Sequence, residues 1–278
     1  MNLKFVNNDY VIIWNLLFQA SISEYIHKLK QKIWKNYKNE YNITYKDKTK
    51  ILKDYKNFIP DDDTIYNIVL EDKEYENIKK ETDKQRIKLL EIWDDNKKVV
   101  IKELKDILRF DIKIYHVLVV PDKLNVIYSE EIKSSRVNTI VWGKRITKNS
   151  IGSIIELVYN IVRKELKNYN ENYSDIVEAI VELAVINEFA TRMTGISHYS
   201  LGDKSLSYLK RQIYPYWLMY LGVEKNEMRE YMNRDKIFFD ESRYTNEVQL
   251  KKIDLYEFID FCIRNQRHIV KIDELEIL

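Results

Sequence analysis

The side chains best suited to chemistry in this chain are carboxylates on two neighbouring helical stretches. Glu156 lies near the start of residues 150–166, and Glu178 and Glu182 lie one turn apart within residues 174–194. A glutamate held beside water can act as a general base, and a group of glutamates offers oxygen ligands that suit magnesium or calcium better than zinc. Tyr159 follows Glu156 by three residues, and Glu178 follows Tyr159 by nineteen. His198 lies in a loop just after Gly195, where functional side chains often sit. The other histidines read as structural or exposed: His27 among the lysines of a helix, His116 in a strand, His268 in a basic tail. A single cysteine, Cys262, rules out a cysteine zinc site, and the sequence has no phosphate loop, dinucleotide fingerprint or nucleophile elbow.

The same glutamates also have structural readings. Ser153–Glu156 and Asp175–Glu178 both fit the capping box, in which the acid three residues on bonds back to the helix start. Glu182 interrupts an apolar run, residues 177–186, so it either reaches solvent or is buried with a partner. Arg163, Lys164 and Arg192 are the candidate partners.

The elements that must position these residues follow from hydrophobic periodicity. Residues 11–39 read as one long amphipathic helix. Asp61-Asp62-Asp63 reads as a cap for a helix starting near Thr64, and residues 65–108 are helical with an interruption at Asp94-Asp95-Asn96. The texture then turns β-branched, predicting strands at 112–120, 124–128 and 137–142. A short polar connection joins the two glutamate-bearing helices as an antiparallel pair, and Gly195 closes the second. Residues 206–221 form an aromatic helix that Pro215 should kink or split. Helices at 224–232 and 255–264 follow, and the tail 269–278 forms a strand or lies on the surface.

Composition narrows the function classes. With 46 basic and 44 acidic residues the net charge is +2, so no overall field argues for nucleic acid or a membrane surface. Five glycines and three prolines argue against a turn-rich all-β fold, and no apolar stretch has the length of a membrane span. The Lys- and Asn-rich texture is what an A- and T-rich genome produces unaided, so it carries no functional weight. The lone cysteine fits a reducing, cytoplasmic setting, and residues 11–18 read as a buried helix rather than a signal peptide.

The order of strands, then a helix with an early glutamate, then a second helix with glutamates resembles a zincin metallopeptidase of the glutamate-ligand type. In that family a His-Glu-x-x-His helix supplies two zinc ligands and a general base, and a glutamate on the next helix completes the site. The matching segment here is Ile155-Glu156-Leu157-Val158-Tyr159, with Glu178 at the position of the third ligand. Ile155 and Tyr159 replace both histidines, and neither serves zinc at neutral pH. The resemblance covers roughly residues 110–195 and implies a scaffold kept with its metal lost.

The fold expected is therefore α+β and predominantly helical, with a small central mixed sheet and a zincin-like helix pair. Residues 1–108 would be a helical N-terminal region and 109–278 a zincin-like region with a helical C-terminal part. The function expected first is a pseudo-peptidase binding a peptide or protein segment in the former cleft beside a sheet edge, with Tyr159, Glu178, Glu182 and His198 as cleft residues. No cofactor and no metal ligands are expected on this reading. The alternatives are a working hydrolase with Glu156 as catalytic base and a carboxylate-held divalent metal, and a helical interaction or regulatory protein unrelated to peptidases.

Overall fold

The computed structural model describes residues 1–21, 23–46, 64–124, 138–146, 150–169, 174–198, 201–234 and 250–266. The expected cap at Asp61–Asp63, most of the strand expected at 124–128, His268 and the tail 269–278 lie outside the described residues. The protein is α+β and predominantly helical, as the sequence predicts. It divides into two compact units, each discontinuous in sequence: residues 1–96 with 113–160, and residues 97–112 with 161–278. No helix among the described residues is long and apolar enough to cross a membrane.

The first unit holds the sheet. Its strands are β1 (Asn2–Val6), β2 (Ile114–Val119) and β3 (Asn138–Trp142), in the order β1-β2-β3. Both pairings are parallel, with Lys4 beside His116 and His116 beside Thr139. The sheet was expected to be mixed, yet its described strands run one way. Each junction has the long connection that a parallel crossover needs, more than a hundred residues between β1 and β2 and eighteen between β2 and β3. β2 is buried from Tyr115 to Val119 and reads as a continuous apolar run, as a central parallel strand should. β1 alternates, with Asn2 and Lys4 exposed and Leu3 and Phe5 buried, the pattern of a strand with one face in water. Leu124 belongs to a single helical turn, Asp122–Leu124, rather than to a strand.

The single helix expected over 11–39 is broken. α1 (Asp9–Phe18) is apolar all round and wholly buried from Val11 to Leu17, whereas α2 (Glu24–Asn36) buries only the stripe Ile26, Leu29 and Ile33. The two cannot share one axis and one exposed face, and the chain turns between them. Asn8 caps α1, its side chain accepting from the Val11 N–H at 3.1 Å. α3 (Lys38–Lys46) and α4 (Thr64–Leu70) complete the helices around a core that includes Leu118 and Val141 of the sheet.

α5 (Lys73–Leu108) runs without the interruption expected at Asp94-Asp95-Asn96. Those polar side chains point away from the core, and Asn96 Nδ2 donates to the Ile92 carbonyl one turn back, at 2.8 Å. The break falls earlier, at Glu71-Asp72, where the Asp72 carboxylate accepts from the Glu74 N–H at 3.0 Å.

The second unit is helical. α6 (Ser150–Tyr169) supplies its latter half, followed by α7 (Asp175–Val181), a π-helical stretch (Glu182–Phe189) and α8 (Ala190–Thr194). Gly195 closes α8 in the left-handed conformation, φ 70°, as expected. α9 (Ser207–Leu221) is unbroken despite Pro215, and α10 (Lys225–Arg234) and α11 (Leu255–Arg264) follow. Trp217, Tyr220 and Phe258 pack at centroid distances of 4.9–5.7 Å in its core. Arg109 closes α5 at φ 59°. Its Nη1 donates to the carbonyls of Leu250, Lys251 and Ile253 and its Nη2 to that of Tyr220, while the guanidinium lies 4.1 Å from the Tyr220 ring centroid.

Candidate functional site

Glu156 lies on α6 in the first unit, half-buried. The helix begins at Ser150, so Ser153 and Glu156 sit inside it and the expected capping box does not form there. The Glu156 carboxylate instead ion-pairs with Lys144, two residues beyond the end of β3. Gln85 Nε2 holds the Lys144 carbonyl at 2.9 Å, which fixes the backbone from which the lysine reaches. Ile155 and Tyr159, four residues apart on the same helix, are both half-buried.

Glu178 lies in α7, in the second unit. Ser174 occupies the N-cap position and Asp175 is the first helical residue, so the expected Asp175–Glu178 box is absent as well. Glu178 Oε2 accepts instead from Arg163 Nε at 2.9 Å. The Glu178 carboxylate thus sits at the first turn of its helix and pairs with a guanidinium, both favourable placements for a negative side chain.

Glu182 is buried, at 3% exposure, and its partner is none of the three expected. Arg163 is taken by Glu178, and Arg192 pairs with Glu188 and Glu103. Lys164 is buried, and burial pushes its ammonium down to about 8. The partner is Lys210, twenty-eight residues on, whose Nζ lies 2.8 Å from Glu182 Oε2 and 2.8 Å from the Leu201 carbonyl. Glu182 Oε1 accepts from the Asp203 N–H at 2.8 Å. Gly202 lies between these contacts at φ 113°, and a Cβ there would stand 2.2 Å from Glu182 Oε2. Only glycine fits.

Glu182 opens the π-helical stretch, a feature frequent at functional sites. From the same stretch Asn187 Nδ2 donates to the His198 carbonyl and to that of Leu201. His198 itself is half-buried, its Nε2 2.8 Å from Thr194 Oγ1 and its N–H 3.1 Å from Thr191 Oγ1. Glu182, Asn187 and Lys210 thus hold the backbone at His198, Leu201 and Asp203. The ring of His198 contacts the Thr194 hydroxyl, which orients the imidazole, and no carboxylate contact to the ring is seen among the described residues.

Within the second unit Glu178 and Glu182 sit on successive turns, yet each takes a different cation. Among the described residues, no three His, Cys, Asp or Glu side chains gather where they could share one metal ion. Sequence reasoning missed Lys144, Lys210 and Gly202. No local pattern marks the two lysines, and the glycine is one of only five in the chain. Comparison with protein-family models, with curated proteins and with solved structures gave no match.

Proposed function

We propose that this chain is a catalytically silent binding protein, a zincin-like pseudo-peptidase that holds a peptide or protein segment and does not cut it. One observation carries the reading: each of the three candidate glutamates is neutralised by its own basic side chain, Glu156 by Lys144, Glu178 by Arg163 and Glu182 by Lys210. A divalent ion would have to displace those cations, and a general base already bound to an ammonium is a weaker acceptor for the proton of water. A bound extended segment would add to the free edge of the sheet. Among the described strands β1 is an outer one with Asn2 and Lys4 exposed, and it is the edge proposed for that pairing.

Turnover of a mixed peptide library is the direct test. The reading expects none with or without added zinc, manganese or magnesium. Metal-dependent cleavage abolished by Glu156→Gln would overturn it. The zincin relation is tested separately by the double variant Ile155→His/Tyr159→His. On a zincin-like scaffold the pair recruits Glu178, so zinc affinity falls about tenfold or more when Glu178→Gln is added. Two histidines binding zinc alone would leave the Glu178 substitution without effect.

A second reading draws on the sheet. Its described strands are all parallel, whereas the zincin resemblance carried the expectation of a mixed sheet. A helical interaction or regulatory protein with no tie to peptidases accommodates both that and the ion-paired glutamates. It predicts the second outcome of the zinc experiment.

A further inference from the structure

An aromatic stack stands at the surface of the second unit. Phe110, just beyond α5, stacks on Tyr256 of α11 with centroids 4.3 Å apart and planes at 26°, and Tyr169, the last residue of α6, meets the same Tyr256 ring at 4.4 Å. Tyr169 is 50% exposed, so much of its ring faces water. Its hydroxyl donates to Asp260 Oδ2 at 3.3 Å, which holds the ring in place beside a carboxylate. Three separate parts of the chain each contribute one ring, which is more than the exposed edge of one amphipathic helix would give.

The surroundings are acidic although the whole chain is slightly basic. Asp254, Glu257 and Asp260 lie on or just before the first turns of α11, and Glu165 lies one turn before Tyr169. Burial and then Asp260, Asp254 and Glu257 push the Tyr169 phenol up, and burial followed by Glu165 and Asp254 pushes that of Tyr256 to about 12. Arg264, one turn after Asp260, donates to its backbone carbonyl at 3.2 Å. Ring faces attract cations through their quadrupole, and carboxylates beside them add charge, whereas phosphates and acidic segments are repelled.

We propose that this face docks a basic peptide segment, with a lysine or arginine side chain lying on the Tyr169 ring and its charge against Asp260. The inference goes beyond the proposed function, since it stands whether or not the helix pair is zincin-like.

The test is fluorescence anisotropy of a labelled octa-arginine peptide titrated with the full chain at low ionic strength, with folding of each variant checked by circular dichroism. Tyr169→Ala and Asp260→Asn should each weaken binding about tenfold, and Tyr169→Phe, which keeps the ring, should stay within about twofold. Asp95→Asn, at an exposed acid on α5, should change nothing. Octa-glutamate binding as well as octa-arginine, or Asp260→Asn binding like the parent protein, would overturn the proposal. So would self-association that Tyr169→Ala abolishes, because the occupant would then be a second copy of the chain.

Discussion

Glu182 and Lys210 form an ion pair whose side chains are 4% and 5% exposed, and the Asp203 N–H and the Leu201 carbonyl complete it. Taking both charges out of water is costly, and the Coulomb gain repays it only because the remaining acceptors and donors are used. The pair therefore does little for net stability while it stays whole, and its role is to fix the loop between Gly195 and α9.

Breaking it from one side should be expensive. Lys210→Met leaves a buried carboxylate unpaired and is expected to cost about 3–5 kcal/mol in urea unfolding, whereas Glu182→Leu/Lys210→Met should recover most of that loss. A double variant no better than the single would mean that the contacts to Asp203 and Leu201, not the pair, hold the loop.

Gly202→Ala tests the close approach. The backbone at φ 113° and the 2.2 Å clash with Glu182 Oε2 act together, so a loss of about 2–4 kcal/mol is expected by thermal or urea unfolding. A change below about 0.5 kcal/mol, the ordinary range for surface substitutions, would show that the loop relaxes away from Glu182.

Arg109 gives a third prediction. Arg109→Lys keeps the charge but cannot fork across four carbonyls or lie flat on Tyr220, and it retains an unfavourable φ of 59°. A loss of about 2 kcal/mol is expected. Equal stability would show that one point charge suffices there.

Lys164 sets a pH dependence. Burial lowers its folded value to about 8 from the usual 10.5, so between those values the unfolded chain binds the proton that the folded chain has released. Stability from this group therefore rises as pH rises from about 8 to 10.5, and the penalty is fully present below 8. Tyrosines raised by burial and the buried Cys262 thiol oppose this at alkaline pH, so the quantity to read is the difference from Lys164→Met. The variant should be the more stable at pH 7, by about 3 kcal/mol on the size of the shift, and its advantage should vanish by about pH 10.5. An advantage that does not change with pH would remove the titration from the explanation.

The sequence made β2 and β3 legible because 114–119 and 138–142 concentrate β-branched residues, and it made the helix pair legible because 151–162 and 176–186 repeat at helical spacing. β1 was hidden: Asn2 and Lys4 dilute a strand of only five residues whose partner lies more than a hundred residues away. The capping patterns at Ser153 and Asp175 misled because a box depends on where the helix starts, and the two helices start at Ser150 and Asp175. Glu182 was read as either reaching solvent or being buried with a partner, and it is buried with one. Its identity was not legible, because the candidates were sought on the preceding helix and at the end of the same one, whereas the buried cation sits on a later helix, twenty-eight residues on.

The measurement that bears most directly on the central claim is the metal content of protein purified without added metal. With Glu156, Glu178 and Glu182 each held by a cation, the account predicts no stoichiometric zinc or manganese. One equivalent of either metal, lost in Glu178→Gln or Glu182→Gln, would contradict it.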